Sequence, residues 1–282
     1  MSGLLSGGFR WDRCGLWRTG DAVVMLAGRG FFCSFGDMYQ RLECVALRTI
    51  KYSDRSSILV AYSRQMGRVG LLIAAGKGAA ASRVRALTMP MSSFECVASI
   101  TPGRELFHIK DVRPDDGAMS PGYGSLDPVR SAVGFFMADF LSAVLREPMA
   151  DEPLFGGVRA IARYLAGKES RGLANVHIAA LASLTVPLGI EPDVATWRHG
   201  RFLDLREGRF TVSPPAGHSD YLDQRGSQMA WLLSRMTLRN ARFYRFSREE
   251  RNEILRELLR YYTLHGYKVG NLVSVDILRD LF

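Results

Sequence analysis

Val45-Ala46-Leu47-Arg48-Thr49-Ile50-Lys51-Tyr52-Ser53-Asp54-Arg55-Ser56-Ser57-Ile58-Leu59-Val60 is the stretch whose reading decides the fold. An apolar run ends in a basic, polar corner, and a second apolar run starts at once. Gly67-Arg68-Val69-Gly70 and Gly76-Lys77-Gly78 follow closely. Short strands joined by tight glycine bends describe a small, strongly bent β-barrel with a basic rim.

The strand pattern continues outward from there. Ile58, Val60 and Tyr62 alternate with other residues, as do Phe94, Cys96, Ala98 and Ile100, and Phe107 and Ile109 stand against His108 and Lys110. Thr101-Pro102-Gly103-Arg104 is a turn signal. Five short strands over residues 38–115 suit an OB-type barrel. The segment 76–87, between the third and fourth strands, is expected to be a helix or a mobile loop.

Residues 116–126 hold Gly117, Pro121, Gly122 and Gly124 and read as a linker. From Asp127 the period becomes helical, with Asp127 as N-cap and Pro128 at the first helical position. Val129, Val133, Phe136, Phe140, Val144 and Leu145 mark a buried face. Further helices are expected at about 152–166, 171–188, 220–236 and 273–281. Another starts at Ser247, where Ser247-Arg248-Glu249-Glu250 is a capping box. A hairpin is expected within about 196–212, with Phe202, Leu203 and Leu205 facing Phe210 and Val212 across Arg206-Glu207-Gly208-Arg209. The fold class is therefore α+β and multidomain: an N-terminal OB-fold barrel, then a mainly α-helical domain over 127–282 with a small hairpin. Residues 1–37 are aperiodic and precede the first good strand. They read as a disordered extension or an upstream translation ahead of a natural start at Met38; an ordered extra strand is the alternative.

Composition bounds the function. Hydrophobic residues make up 47% and charged residues 23% of the 282, enough for a packed core and against wholesale disorder. No apolar stretch approaches the ~18 residues of a spanning helix. The net charge of +9 favours polyanionic partners. Only five of the 37 basic residues are Lys, so an Arg-rich composition accounts for part of the excess and charge alone does not decide. Its placement says more: residues 38–116 carry twelve basic against seven acidic residues, and residues 117–282 carry 21 against 18.

Catalytic and metal motifs are missing. Gly70 to Lys77 fails as a phosphate loop because five residues separate Gly70 from Gly76 and Gly78 stands where Ser or Thr would hold magnesium. No serine sits in a G-x-S-x-G elbow. Cys14, Cys33, Cys44 and Cys96 form no C-x-x-C pair. They read as reduced thiols of a cytosolic protein, with Cys44 and Cys96 in the core. His108, His177, His199, His218 and His265 make no H-x-x-x-H pair, so the expectation is no metal, no cofactor and no enzyme.

The basic residues carry the functional reading. Arg48, Lys51 and Arg55 cluster at one corner, Arg64 and Arg68 flank the next turn, and Lys77, Arg83 and Arg85 follow, with Tyr52 and Tyr62 interleaved. Cations on a barrel face can track a phosphate backbone while aromatics stack on bases; a solvated rim over core tyrosines is the bland alternative. Arg235, Arg239, Arg242, Arg245 and Arg248 would share one side of a helix if that segment were helical. They read equally as a second binding face or as a solvated one.

Leu47-Arg48-Thr49-Ile50-Lys51-Tyr52-Ser53-Asp54, Gly67-Arg68 and Gly76-Lys77-Gly78 resemble the opening of the bacterial RecO family. Phe135-Phe136-Met137-Ala138-Asp139-Phe140-Leu141, Leu145-Arg146-Glu147, Glu152-Pro153-Leu154-Phe155, the 202–210 segment and Leu258-Leu259-Arg260-Tyr261-Tyr262-Thr263-Leu264-His265 extend the resemblance over about 38–282. It implies a non-catalytic recombination mediator in the cytoplasm, associated with the nucleoid. Such a protein binds single- and double-stranded DNA and anneals complementary strands. The implied partners are the acidic C-terminal tail of single-stranded-DNA-binding protein and RecR, with RecF left open. For a tail receptor in the helical domain the candidates are Arg130, Arg159, Arg163 and Arg171, which flank apolar helix faces; ordinary surface salt bridges account for them equally well. Many members carry a four-cysteine zinc site in the region matching about 192–220; this chain has no cysteine there, so no zinc is expected.

Overall fold

The structure is a computed structural model that describes residues 38–281 except 75, 102, 116–126 and 168–170, and before them the strands Leu16–Thr19 (β1), Ala22–Met25 (β2) and Phe32–Cys33 (β3). β1–β3 pair as a small antiparallel sheet of their own. The rest of the segment on which the expectation for residues 1–37 bears lies outside the described residues, as does the expected linker.

β4 (Met38–Lys51) is long because it serves two neighbours. Its first half pairs with β7 (Ser93–Ile100) and its second with β5 (Ser56–Ser63). A bulge between Ala46 and Arg48 bends it from one to the other. β6 (Gly67–Ala74), α1 (Ala79–Leu87) and β8 (Leu106–Pro114) complete a closed barrel of order β4-β5-β6-β8-β7. Inside it lie Leu42, Cys44, Ala46, Leu59, Ala61, Leu71, Phe94 and Cys96, all at most 1% exposed. The expected OB-type barrel is therefore present, with its third-to-fourth connection helical.

The helical domain comprises α2 (Pro128–Val144), α3 (Glu152–Ala166), α4 (Val176–Leu184), α5 (Gln224–Leu233), α6 (Arg248–Leu264) and α7 (Ser274–Leu281). Asp127 caps α2 by accepting from the N–H groups of Val129 and Arg130, and Ser247 and Glu250 form the capping box of α6. The structure differs from the sequence reading in several places, among them Val212, which lies past the end of its strand and is 77% exposed instead of facing Phe202 and Leu203. The helix expected at 171–188 begins as a 3-10 turn, Leu173–Asn175, and ends at Leu184. The helix expected from 220 starts only at Gln224, because Tyr221–Leu222 (β11) pairs with β9 (Phe202–Asp204). With β10 (Arg209–Thr211), the expected hairpin is thus a three-stranded sheet.

The strand period of two gives the barrel a second apolar face. Val45, Leu47, Val60 and Tyr62 are buried in one cluster with Phe136, Phe140, Phe155 and Tyr262 of the helices. The Tyr62 and Phe155 rings lie 6.2 Å apart. Each such side chain is worth ~1.5–3 kcal/mol of burial, so barrel and helices stabilise each other.

Candidate nucleic-acid interface

The corner that follows β4 is built by Ser53. Its hydroxyl accepts from the N–H groups of Arg55 (3.3 Å) and Ser56 (3.1 Å), closing a tight turn and leaving Lys51, Tyr52 and Arg55 outside. Tyr52 is 61% exposed. Lys51 meets only Asp54, at 3.6 Å, and both side chains are almost fully in water, so the pair holds little charge back from a ligand. The bulge turns Arg48 outward on the same rim. Ser56 pairs with Ala74, so the loop after β6 leaves the barrel beside this corner. Lys77 and Arg83 stand exposed there, and Arg85 donates to the Gly76 carbonyl (2.6 Å), closing α1 over the loop. Gly78 gives α1 no side-chain cap, so its first N–H groups add a positive end beside Lys77. Arg48, Arg55, Lys77 and Arg83 make no ion pair among the described residues.

Arg64 and Arg68 lie elsewhere, in the seam between barrel and helices. Arg64 bridges Glu43 (3.0 Å) and Glu152 (2.7 Å). Arg68 donates to the carbonyls of Ser142 and Leu145, both at 3.0 Å, and so caps α2. Gly67, at φ +68°, lets this turn touch the helical domain, where a Cβ would stand 2.3 Å from the Met149 oxygen. Burial, with the charges of Arg48 and then Arg146 nearby, pushes the Arg68 pKa down. Tyr62 is core, and burial pushes its pKa up to about 12.

The four arginines assigned to the acidic tail separate in the same way. Arg130 is 5% exposed and donates to the Tyr164 and Leu165 carbonyls at the end of α3. Arg159 and Arg163 converge on Asp115, and Arg159 also meets Glu43 at 2.9 Å. Burial alone would raise the Asp115 pKa; hydrogen bonds from Arg159 and Ser93 and the two arginine charges outweigh it and hold the carboxyl below its usual range. Arg171 alone of the four lies at the surface away from the seam.

Exposed cations on and beside the barrel that the sequence reading left out of the site include Arg41, Arg104, Lys110, Arg113 and Arg146. The Lys110 ammonium sits 3.8 Å over the ring of Tyr39. Period-two alternation marked Lys110 as outward; Arg146 emerges only from the packing of α2 on the barrel.

The 192–220 region does not fit a zinc site. It has no cysteine, its His218 faces Asp204 at 3.5 Å, and Asp220 is taken by Arg206 and Arg260. Among the described residues no three His, Cys, Asp or Glu side chains group as metal ligands. Leu203, Leu205, Phe210 and Tyr261 hold this sheet by apolar packing. No helix among the described residues is long and apolar enough to cross a membrane.

The profile described as "Recombination protein O N terminal" matches residues 38–117, and "Recombination protein O C terminal" matches 125–270. The DNA repair protein RecO of Porphyromonas gingivalis is 34% identical over 247 residues, covering 85% of this chain and 98% of its own. That of Phocaeicola vulgatus is 30% identical over 245 residues, covering 87% and 100%. With both profiles matched in order and relatives aligned over nearly their whole length, the chain belongs to the RecO family of DNA repair and recombination proteins.

Proposed function

We propose that the protein is a non-catalytic, cytoplasmic, nucleoid-associated recombination mediator. It holds DNA on the barrel rim, anneals complementary strands and helps load recombinase onto DNA coated by single-stranded-DNA-binding protein. The observation that carries this reading is the set of exposed cations, Arg48, Lys51, Arg55, Lys77, Arg83 and Arg85, at one end of a closed barrel, with Tyr52 among them. Lys and Arg that neutralise phosphates supply affinity without reading sequence, and an exposed aromatic can stack a base. That suits a protein that must act at any break. Arg64 and Arg68 support the rim from the seam and leave the DNA contact to the others.

Single-stranded-DNA-binding protein, through its acidic C-terminal tail, and RecR are the proposed partners, with RecF a further one. Of the four arginines proposed for the tail, Arg130, Arg159 and Arg163 hold partners within the fold and Arg171 is exposed at the surface. The decisive experiment is annealing of complementary oligonucleotides, bare and coated with single-stranded-DNA-binding protein. Acceleration in both settings is expected, with no dependence on metal or nucleotide. Absence of any acceleration would refute mediation and leave a general DNA-binding protein.

The profile match begins at residue 38. A chain starting at Met38 is therefore expected to melt within a few degrees of the full chain and to bind DNA equally. Circular dichroism melting checks this, and a large loss of stability would make residues 1–37 part of the fold.

A further inference from the structure

We propose that the segment joining α5 to α6 is a second track for single-stranded nucleic acid, placed on the helical domain apart from the barrel rim. Its role as a holder of a second strand rests on the reading above; the site itself stands on its own geometry. The sequence suggested a helical cationic face here, and the structure shows something different. The segment is a turn followed by a 3-10 helix, Ala241–Phe243. Two of its apolar residues point inward: Met236 and Ala241 are at most 2% exposed and pack with Ile178, Leu233 and Ile254, none of them from the barrel. Around these anchors Arg235, Arg239, Arg242 and Arg245 all stand exposed.

The backbone of this ladder is fixed. Asn175 donates from its amide to the carbonyls of Ala241 (3.1 Å) and Tyr244 (2.9 Å). Gly172 lies so close beneath that a Cβ would stand 2.6 Å from the Arg242 Cα. Cations on a fixed backbone lose less freedom on meeting successive phosphates than cations on a mobile loop.

Charge and aromatics agree. No Asp or Glu occurs between Arg235 and Arg248. None of the four arginines makes an ion pair among the described residues. A solvated helix face in this chain looks otherwise: Arg256 and Arg260 of α6 each meet carboxylates. Phe243 is 70% exposed, with the Arg242 guanidinium 4.9 Å from its ring centre. An exposed ring edged by cations is a stacking platform for a base. An acidic peptide would use the charges but gives no account of a ladder running along four arginines.

The test uses the full chain. A biotinylated oligo-dT on beads captures the protein, and a second, labelled oligo-dT reports whether another strand is held at once. The R239E/R242E/R245E variant should still bind the immobilised strand but lose second-strand capture at least about tenfold, with a log–log salt slope shallower by ~2. Phe243→Ala should lose about tenfold and Phe243→Tyr little, since stacking survives in the latter. Melting temperature should not move in any of them. Second-strand capture equal to wild type in the charge-reversed variant would overturn the proposal. So would loss of binding to a short Asp-rich peptide ending in Phe with strand capture unchanged, which would make the ladder a peptide receptor. A wild-type protein that binds one strand but never a second overturns this inference alone; one that binds no DNA overturns the barrel reading as well.

Discussion

Charge reversal of Arg48, Lys51 and Lys77 together should weaken single-stranded DNA binding about a hundredfold near ~0.1 M salt. Each phosphate neutralised on a single strand releases ~0.7 of a counterion, worth ~0.7 log unit of affinity at that salt, and three contacts give ~2 log units. Reversal adds repulsion, so the estimate is a floor. The log–log salt slope should become shallower by ~2, and the loss should be equal across sequences, because these contacts read no bases. All three side chains are exposed and hold no structural partner other than the solvent-bathed Lys51–Asp54 pair. The variant should therefore melt with wild type, which separates lost contact from lost fold. Fluorescence anisotropy over a salt series checks both numbers, and unchanged affinity at moderate salt would remove the barrel rim as the binding surface.

Asp115→Asn should lower stability by about 2–4 kcal/mol, a fall in Tm of about 5–10 °C. The Asp115 side chain is 2% exposed and stands between Arg159 and Arg163, with Ser93 donating at 2.9 Å. Asparagine keeps the shape but removes the negative charge, leaving two guanidinium groups facing one another. Those groups are 21% and 42% exposed, so water screens part of the cost, and the lower end of the range applies if they swing outward. The pH dependence has a definite sign. The folded-state pKa of Asp115 is depressed, so its contribution is fully present above the unfolded value of about 3.9 and is lost as pH falls through the lower folded value. Wild type should lose this contribution only below about pH 4, and the asparagine variant should lack that acid step. Melts between pH 3 and 7 would test the pair of expectations; a variant as stable as wild type at neutral pH would show that the seam does not need the carboxylate.

The seam also bears on how the two parts can be studied. Val45, Leu47, Val60 and Tyr62 of the barrel complete the apolar cluster of the helices. Residues 117–282 expressed alone would expose the facing surface of Phe136 and Phe155. For that reason the binding experiments above keep the chain whole.

The barrel was legible because a strand's period of two is a local property. Phe94-Glu95-Cys96-Val97-Ala98 states its own inner face, and glycines mark the bends. The helix starts were legible for the same reason, since Asp127 and Ser247 act on N–H groups two or three residues away. What an arginine is used for was not local. Arg64, Arg68, Arg130, Arg159 and Arg163 carry the same side chain as Arg48 or Arg55, in similar sequence surroundings. Only strand pairing in the barrel, and the packing of α2 and α3 on it and on each other, put Glu43, Glu152, Asp115 and helix-end carbonyls within their reach. The run from Arg235 to Arg248 shows the same limit from the other side. The sequence alone determined its charge and its lack of acids. Tertiary structure decided that Met236 and Ala241 turn inward, that the segment is a turn and a short 3-10 helix in place of one continuous α-helix, and that its arginines stand in water. Patterning along the chain determines which elements form, because their hydrogen bonds are made between neighbours. The partner of a long, charged side chain is set by which distant elements meet, and that is fixed only when the barrel and the helices close on one core.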